Sequence, residues 1–465
     1  MAPSPDSTTR RYDLAIIGRG MIGSAAARHA AKLSRGKDLR IVLIGPSEQS
    51  CTDRAVVAAR DMDGDDASSL IFGAHYDEGR ITRRTDPDPI WAELASRSIS
   101  RYNEILHESG LDKNFYSECG HLAVGQNEGD VIKKRRQAAD SMGVEIECLD
   151  ADVLSRKFPQ LDFSRDCVGL HEKKHAGYIS ARGLVEAQTN AAQNLGVHII
   201  DDVVNSVERC ICENSDNGYY FSIEVGSRHE RIESTKLLVA AGAFCNSRPL
   251  LPKKLKVTPI KTQTVHFVLN EDDAIRLKDM PSVIIKNDKL WAYILPPIQY
   301  PDGTVRLKLG GSYLEPNGKE YGLGDREIHS HNELANWYRS GGSNNARRDM
   351  EHMLHSFVPN ISPVSIISNS CATLNTPTGQ VYIDENEDGW AMATGGNGLA
   401  AKSSDELGRL AATCILDREA FRLESICGKS VAEVFCPICD ENVGEVMTTT
   451  TKTQSIVLAE EAEAK

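Results

Sequence analysis

A strand, a glycine turn and the start of a helix follow one another near the beginning of this 465-residue chain. An apolar run ends in Ile16-Ile17, and glycines then stand at positions 18, 20 and 23. In a βαβ unit the first glycine permits the tight turn, the second lets backbone approach a pyrophosphate, and the third lets the helix pack on the strand. Free N–H groups at the helix start favour a bound diphosphate. The sequence therefore predicts a dinucleotide pocket whose contacts include Gly18, Gly20, Met21, Ile22 and Gly23.

The second strand of this unit is followed by an unusual residue. Its apolar run at 40–44 lies at the distance that a βαβ unit requires. The next position, where an Asp or Glu normally holds the adenosine ribose hydroxyls, is Gly45. Ser47 and Glu48 follow closely, and we expect one of them to take over the ribose contact.

Length and composition indicate a globular protein of two domains, with 40% hydrophobic and 26% charged residues. A formal net charge of -13 argues against nucleic acid and anionic membranes as partners, because it would repel both. No apolar run approaches the roughly 18 residues that a membrane-spanning helix needs, and the N-terminal segment is polar. We therefore expect an intracellular, cytoplasmic protein without a nucleic-acid or membrane partner.

The 12 cysteines are scattered along the chain, which is typical of reduced thiols rather than of a disulfide scaffold. Cys436 and Cys439 resemble half of a zinc ribbon, but no second pair follows them, so no metal site is predicted. Residues 426–465 are expected to form a C-terminal extension with a mobile tail. Its last three residues differ from a Ser-Lys-Leu peroxisomal signal, and a peroxisomal location is left open.

Other segments extend the α/β pattern. Hydrophobic periodicity predicts helices over 89–109, 181–195 and 400–416, and a buried strand that ends at Gly242. Residues 257–313 instead contain alternating strands and a Pro-Asp-Gly turn, which is typical of an antiparallel sheet. The predicted fold is therefore α/β, with a discontinuous Rossmann-like nucleotide-binding domain and a second domain built on a mostly antiparallel sheet.

Four motifs occur in a characteristic order, at 18–23, 79–83, 307–310 and 371–402. Together they resemble the amine-oxidising flavoproteins of the D-amino-acid oxidase family, most of all the branch of monomeric sarcosine oxidase and N-methyltryptophan oxidase. The resemblance covers about residues 10–420 and implies FAD as the cofactor. It also implies an FAD-binding domain from 10–74, 165–257 and 372–425, and a substrate domain from 75–164 and 258–371.

The resemblance implies that the flavin is covalently attached. In the sarcosine oxidase branch, the cysteine at the place of Cys371 forms a thioether with the 8α carbon of the flavin. Such an electron-withdrawing link makes the flavin a better electron acceptor. Residue type alone leaves the alternative of a thiol that simply fills space.

The resemblance also implies how the substrate binds. At the places of Arg83 and Lys402, the family holds the substrate carboxylate, and an arginine fork beside a lysine suits that group. A lysine at a helix start is unfavourable unless an anion is near it. A carboxylate substrate would supply that anion, and the alternative is a pair of solvent-facing cations.

The remaining implied roles concern catalysis and the cofactor. Arg80 matches the arginine beside the flavin ring, where positive charge stabilises the reduced cofactor, and Lys308 matches the lysine that activates oxygen. A lysine inside an apolar strand is costly unless it lines a cavity. His75 and Tyr76 stand where the family has two histidines and are expected to be catalytic. The other implied cofactor contacts are Gly242, Gly395, Asn397, Gly398, Leu399 and, besides its role in substrate binding, Lys402.

Departures from the family pattern change the expected substrate. Tyr76 and Ser312 replace family histidines, and the Phe-Ser-Gly-His-Gly-Phe motif of the branch becomes the smaller residues 396–400. The pocket is therefore expected to have more room than sarcosine needs. A bulkier N-alkyl or cyclic amino acid is the expected substrate.

The expected reaction transfers a hydride from the carbon next to a secondary amine to the flavin, and water hydrolyses the resulting imine. Molecular oxygen then reoxidises the flavin and leaves hydrogen peroxide. One alternative is a dehydrogenase of the same fold that passes electrons to a quinone or a protein. Another is a flavin-binding protein without turnover. The resemblance favours a monomer whose partners are a carboxylated amine and oxygen.

Overall fold

The computed structural model describes residues 10–53, 70–212, 218–316, 318, 320, 322–386 and 389–439. Most of the C-terminal extension, at 440–465, lies outside these residues, so the predicted mobile tail is not described. No helix in the described part of the chain combines the length and the apolar character needed to cross a bilayer.

The described part of the chain contains helices and strands throughout, and several of the strands follow one another without a helix between them. The strands are β1 (Arg10–Ile17), β2 (Ile41–Ile44), β3 (Arg80–Thr82), β4 (Tyr116–Ser117), β5 (His121–Gln126), β6 (Glu147–Leu149), β7 (Cys167–Glu172), β8 (Gly177–Ile179), β9 (His198–Ile200), β10 (Val204–Ile211), β11 (Tyr219–Val225), β12 (Glu230–Val239), β13 (Thr258–Val268), β14 (Ser282–Lys286), β15 (Leu290–Gln299), β16 (Val305–Tyr313), β17 (Ser365–Asn375), β18 (Tyr382–Glu385), β19 (Trp390–Thr394), β20 (Ser425–Ile426) and β21 (Lys429–Ser430). The α-helices span Met21–Leu33, Pro89–Ile99, Tyr102–Ser109, Asp130–Met142, Ala151–Lys157, Ala181–Asn194, Glu271–Leu277, His331–Arg339, Asn344–Phe357, Ser404–Leu416, Arg418–Leu423 and Val431–Val434. Short 3₁₀ turns cover Gly242–Phe244 and Ala400–Ser403.

The first eight-stranded sheet contains the glycine fingerprint. β1 pairs in parallel with β2 and β12, and β12 pairs in parallel with β19. The helices Met21–Leu33 and Ser404–Leu416 pack on this sheet through small residues, and Gly408 lies directly against Ala25. This parallel core with covering helices confirms the predicted Rossmann-like α/β fold.

The second eight-stranded sheet is mostly antiparallel, in the order β17-β13-β16-β15-β14-β5-β7-β6, with β14 and β5 as a parallel pair. β13 lies between β17 and β16. Along it, Thr262 faces Cys371 and His266 faces Lys308. One strand therefore sets the spacing of two predicted site residues.

Two helix predictions are wrong in detail. The segment predicted as one helix over 89–109 breaks after Ile99, where the hydroxyl of Ser100 donates to the Arg97 carbonyl at 2.7 Å and competes with the helical ladder. A second helix begins at Tyr102. Lys402 lies in the 3₁₀ turn before the helix Ser404–Leu416 rather than in that helix.

Strand pairing also differs from the predicted segment boundaries. β7, which falls inside the predicted FAD segment 165–257, pairs with β5 and β6 in the second sheet. β17 belongs to that sheet through Asn375, although the predicted FAD segment begins at 372. Ile426, Val431 and Phe435 are buried in the core of the first sheet, so the described part of the extension is not peripheral. The division into two domains remains a prediction.

Candidate active site

A cavity of about 980 Å³ is lined by residues from both eight-stranded sheets. Its size is at the upper end of the roughly 300–1,000 Å³ typical of small-molecule sites. Five predicted residues do not line it, namely Gly23, Ser47, Glu48, Lys308 and Asn397. The others do, and they are Gly18, Gly20, Met21, Ile22, His75, Tyr76, Arg80, Arg83, Gly242, Cys371, Gly395, Gly398, Leu399 and Lys402.

The glycine turn at 18–23 has the shape that a diphosphate requires. A Cβ on Gly18, whose φ is +109°, would lie 2.3 Å from the Ala240 carbonyl oxygen, and a Cβ on Gly23 would lie 1.8 Å from the Gly18 oxygen. Gly20 has open space, with His75 Nδ1 at 4.0 Å as its nearest neighbour. The helix that follows has no acidic residue in its first turn, so its N–H groups are available to an anion. The turn fits the diphosphate of FAD.

Close packing explains why Gly45 stands where an acid is usual. A Cβ there would lie 2.5 Å from the backbone nitrogen of Arg19, so an acidic side chain has no space. Glu48 is held elsewhere, because its carboxylate accepts from Arg182 Nε at 2.5 Å and from Nη2 at 2.7 Å. The Ser47 hydroxyl donates to Ser50 at 3.0 Å. A ribose contact by Ser47 or Glu48 remains a prediction.

Asn397 stabilises the glycine turn at 395–398 through hydrogen bonds of its side chain. Its Oδ1 accepts from the backbone nitrogen of Thr376 at 2.9 Å, and its Nδ2 donates to the Gly395 carbonyl at 2.6 Å. The residue adopts a φ of +49°. Its side chain therefore ties the turn together, while Gly395 and Gly398 face the cavity.

Neither His75 nor Tyr76 has a pKa that suits proton transfer near pH 7. Burial, together with the charges of Arg182, Arg80 and Arg19, lowers the pKa of His75 to about 3, so its ring is neutral at pH 7. The ring packs against Tyr76 with centroids 4.7 Å apart. Burial raises the pKa of Tyr76, whose hydroxyl donates to Cys51 Sγ at 3.0 Å. Their predicted catalytic roles remain predictions.

Asp77 connects Arg80 and Lys308, the two cations predicted to act in catalysis. Its Oδ2 accepts from Lys308 Nζ and from Arg80 Nη1. Lys308 is fully buried and also donates to the Gly79 carbonyl at 2.9 Å. Burial alone would raise the pKa of Asp77, but the charges of Lys308 and Arg80 hold it well below its ordinary value. The three side chains therefore form a buried charge bridge.

Asp86 connects the two cations that were predicted to bind the substrate. Its Oδ2 lies 2.9 Å from Arg83 Nη2 and 3.2 Å from Lys402 Nζ. Burial alone would raise the pKa of Asp86, but Lys402, Arg83 and Arg135 lower it to about 2. Burial lowers the pKa of Lys402 to about 8 against the opposing charge of Asp86. The chain itself therefore supplies one anion to Lys402, and a substrate carboxylate at Arg83 and Lys402 remains a prediction.

Aromatic side chains line the cavity around Cys371. The Cys371 carbonyl accepts from Trp337 Nε1 at 2.6 Å, which fixes the helix His331–Arg339 beside it. Phe72 stacks on Tyr338 with centroids 5.2 Å apart. Five aromatic residues line the cavity besides the predicted ones, namely Phe72, Phe244, Trp291, Tyr293 and Tyr338.

The two aspartates were missed, although the sequence carries a signal for them. Asp77 stands three residues before Arg80, and Asp86 stands three residues after Arg83. Acids that flank an Arg-x-x-Arg pair at this spacing are positioned to neutralise it. No group of three or more His, Cys, Asp or Glu residues suited to a metal ion occurs in the ranges that the structure describes.

A family profile and individual relatives both match this chain. The profile of the family described as FAD dependent oxidoreductase matches residues 13–413. Monomeric sarcosine oxidase of Streptomyces avermitilis is 29% identical over 190 residues, which is 40% of this chain and 42% of that enzyme. The chain thus matches less than half the length of that relative. Peroxisomal sarcosine oxidase of Homo sapiens is 21% identical over 86% of this chain and 90% of its own length.

A solved structure shares the whole architecture. NikD, an unusual amino acid oxidase essential for nikkomycin biosynthesis, superposes in its open form with a TM-score of 0.63 at 16% identity. The superposition covers 93% of this chain and 98% of NikD. At this identity the likeness establishes the fold.

The packing at Gly45 yields a first prediction. In a Cys371→Ala background, where no thioether could retain the cofactor, Gly45→Ala should weaken FAD binding by at least about tenfold, which corresponds to roughly 1.4 kcal/mol. The reason is that the new methyl group would displace Arg19 and the glycine turn. Glu48→Gln, which keeps a hydrogen-bonding side chain of the same size, is the comparison variant and should weaken FAD binding less than Gly45→Ala does. Fluorescence titration of the apoprotein with FAD measures both, and the reverse ranking would show that Glu48 holds the cofactor.

Proposed function

The chain belongs to the family of FAD-dependent oxidoreductases, and on this basis we propose that it is an oxidase of a secondary amine, with an N-alkyl or cyclic amino acid as substrate. One observation carries the proposal. A single cavity gathers the glycine fingerprint, Cys371, and the side chains Arg80, Arg83 and Lys402.

The chain's own residues would hold FAD at two places. The turn at 18–23 and the start of the helix Met21–Leu33 would bind the diphosphate through backbone N–H groups. Cys371, which lines the cavity, would form the thioether. When bound, FAD supplies the hydride acceptor for oxidation of the C–N bond. The protein supplies binding, orientation and charge.

The charges around Asp86 support a carboxylated substrate. Three buried cations, Arg83, Lys402 and Arg135, act on the Asp86 carboxylate, and Glu172 offsets part of the charge of Arg135. Arg83 Nε is buried and has no hydrogen-bond partner among the described residues. A second carboxylate would therefore meet both net positive charge and an unused donor.

The aromatic wall supports a substrate larger than sarcosine. Trp291 and Tyr293 project from β15 into the cavity and stack with centroids 6.4 Å apart. Ser312, the residue predicted in place of a family histidine, lies opposite Trp291 on β16 but does not line this cavity. Apolar and aromatic surface of this kind favours a cyclic or N-alkyl group.

Arg80 and Lys308 would provide the charge needed after amine oxidation. Arg80 lines the cavity, and its guanidinium would stabilise negative charge on the reduced cofactor. The Lys308 ammonium would stabilise negative charge that develops on oxygen. The proposed oxidase would release hydrogen peroxide, because oxygen would take up the two electrons and two protons removed from the amine.

A second candidate is a dehydrogenase that uses an acceptor other than oxygen. Lys308 is fully buried, does not line the cavity, and is bound by Asp77. An ammonium neutralised in this way would attract an oxygen-derived anion less strongly than a free one. Oxygen uptake during turnover separates the two candidates.

A substrate panel tests the proposed function and its carboxylate requirement. Pipecolate, proline and N-methyl amino acids, each paired with its carboxamide, are added anaerobically to the purified holoenzyme while flavin absorbance is followed. At least one acid should bleach the flavin, and each effective acid should reduce it faster than its carboxamide, because only the acid meets Arg83 and Lys402 with a charge. Equal rates would contradict the carboxylate proposal, and no bleaching by any amine would contradict the enzyme proposal.

The covalent link predicts how the cofactor separates from the chain. Acid precipitation of the wild-type protein should leave yellow flavin on the denatured polypeptide, whereas Cys371→Ala should release it to the supernatant. Cys245→Ala is the matched control, since Cys245 is buried and does not line the cavity. Absorbance of pellet and supernatant gives the result. Flavin retained on denatured Cys371→Ala would place the attachment elsewhere.

The oxygen role of Lys308 predicts a separation of half-reactions. In Lys308→Met, anaerobic reduction by substrate should change little, while reoxidation by oxygen should slow by orders of magnitude, at about tenfold for each 1.4 kcal/mol of lost charge stabilisation. Stopped-flow absorbance follows both steps. Arg306→Met, which removes a cation two residues away on the same strand, serves as a control. A wild-type reoxidation rate in Lys308→Met would favour the dehydrogenase candidate.

A further inference from the structure

Lys308 occupies an environment in which an unpaired lysine loses its charge. It lies on β16 with no exposed surface and is among the largest fully buried side chains of the described residues. Lysines buried without an opposite charge have pKa values of roughly 5–6, because a dry interior disfavours the ammonium. Such a lysine would be neutral at pH 7 and useless as a cation. Something in the surroundings must keep the proton on Nζ if Lys308 is to act on oxygen.

Asp77 supplies the negative charge that Lys308 needs. Its Oδ2 accepts from both Lys308 Nζ and Arg80 Nη1. Its Oδ1 accepts from the Tyr300 hydroxyl at 2.9 Å and from the Glu78 backbone nitrogen at 2.8 Å. Four donors therefore fix the carboxylate in one orientation and keep it ionised. A carboxylate held so firmly is a poor base, so it does not itself accept the substrate's proton.

The other groups around Lys308 do not provide a comparable anion. The positive charge of Arg80 lowers the pKa of Lys308. Arg306, on the same strand, is a further cation and not an anion. His266, opposite Lys308 on β13, is buried, and its pKa is lowered to about 3, so it is neutral. The Tyr293 ring lies 5.7 Å from Nζ, and burial raises the pKa of its hydroxyl, which is also neutral at pH 7. Cys371 acts on Lys308 as well, but as the proposed thioether it would carry no charge.

We infer that Asp77 is a positioning residue that keeps Lys308 protonated and fixes its ammonium group beside Arg80. The use of the Lys308 charge in the reaction with oxygen rests on the proposed oxidase function, whereas the effect of Asp77 on the Lys308 proton does not. Asp77 acts through Lys308, by holding a proton at Nζ that burial would otherwise remove. The three side chains together carry a single net positive charge, which Arg80 presents to the cavity.

The test compares the pH dependence of Asp77→Asn with that of the wild type. Burial against the pull of Asp77 leaves the pKa of Lys308 at about 8, so the ammonium is lost as pH rises through 8. Without the carboxylate the same loss should occur at a pH lower by roughly one to three units. The reoxidation rate by oxygen should therefore fall on its alkaline side near pH 8 in the wild type and well below it in Asp77→Asn, with recovery on acidification.

A spectral titration gives a second readout that needs neither substrate nor oxygen. The absorbance of the oxidised holoenzyme should show a pH inflection from Lys308 that is absent in Lys308→Met and shifted to lower pH in Asp77→Asn. Tyr300→Phe is the matched control, because it removes a donor to Asp77 but no charge, and its inflection should stay at the wild-type pH. An unshifted inflection in Asp77→Asn, or no inflection that Lys308→Met removes, would overturn the inference.

A melting experiment covers the case in which Asp77→Asn folds poorly. Removing one partner of a buried ion pair leaves an uncompensated charge, whereas removing both is better tolerated. Asp77→Asn/Lys308→Met should therefore melt at a higher temperature than Asp77→Asn. The gap should widen as pH falls from 8 towards the lowered pKa of Lys308, because over that range the unfolded chain binds the lysine proton and the folded Asp77→Asn protein does not. A gap that stays constant would overturn the inference. Failure of the wild type to react with oxygen would instead contradict the oxidase proposal. The spectral titration and the melting experiment would then still test the role of Asp77.

Discussion

The cavity depends on the neutralisation of buried cations by two carboxylates. Arg80 and Lys308 share Asp77, and Arg83 and Lys402 share Asp86. In each pair a lysine with almost no exposed surface would lose its charge without the acid. Two cations on one carboxylate leave residual positive charge, so each bridge is stable on its own and still attracts a further anion. The two carboxylates keep the buried cations charged, and the residual positive charge of each bridge is available at the cavity wall.

Much of the fold could be predicted because its signals are local. The fingerprint at 18–23 places strand, turn and helix within a short stretch, and the alternation at 257–313 indicates an antiparallel sheet without reference to distant residues. The predicted helix over 89–109 failed at Ser100, where a side chain competes with the backbone for one carbonyl. Periodicity is insensitive to a single such break.

The site was predicted less completely because its decisive contacts are long-range. Asp77 meets Lys308 across 231 positions of the chain, and Glu48 is taken by Arg182 across 134. No pattern of spacing identifies which of several acids pairs with a given buried lysine. The resemblance supplied Cys371, Arg83 and Lys402, which do line one cavity, but it could not supply Asp86.

The burial of Phe435 in the core that also contains residues of β1 has a consequence for synthesis of the chain. Leu14 and Ile16 belong to the same apolar core as Phe435, so that core is complete only once the chain has been made nearly to that point. At roughly 5–20 residues per second, the intervening stretch of roughly 400 residues takes about 20–80 seconds to translate. During that time β1 and its helix lack part of their covering layer. The cavity wall is likewise completed late, because Gly395, Leu399 and Lys402 line it and lie near the end of that stretch.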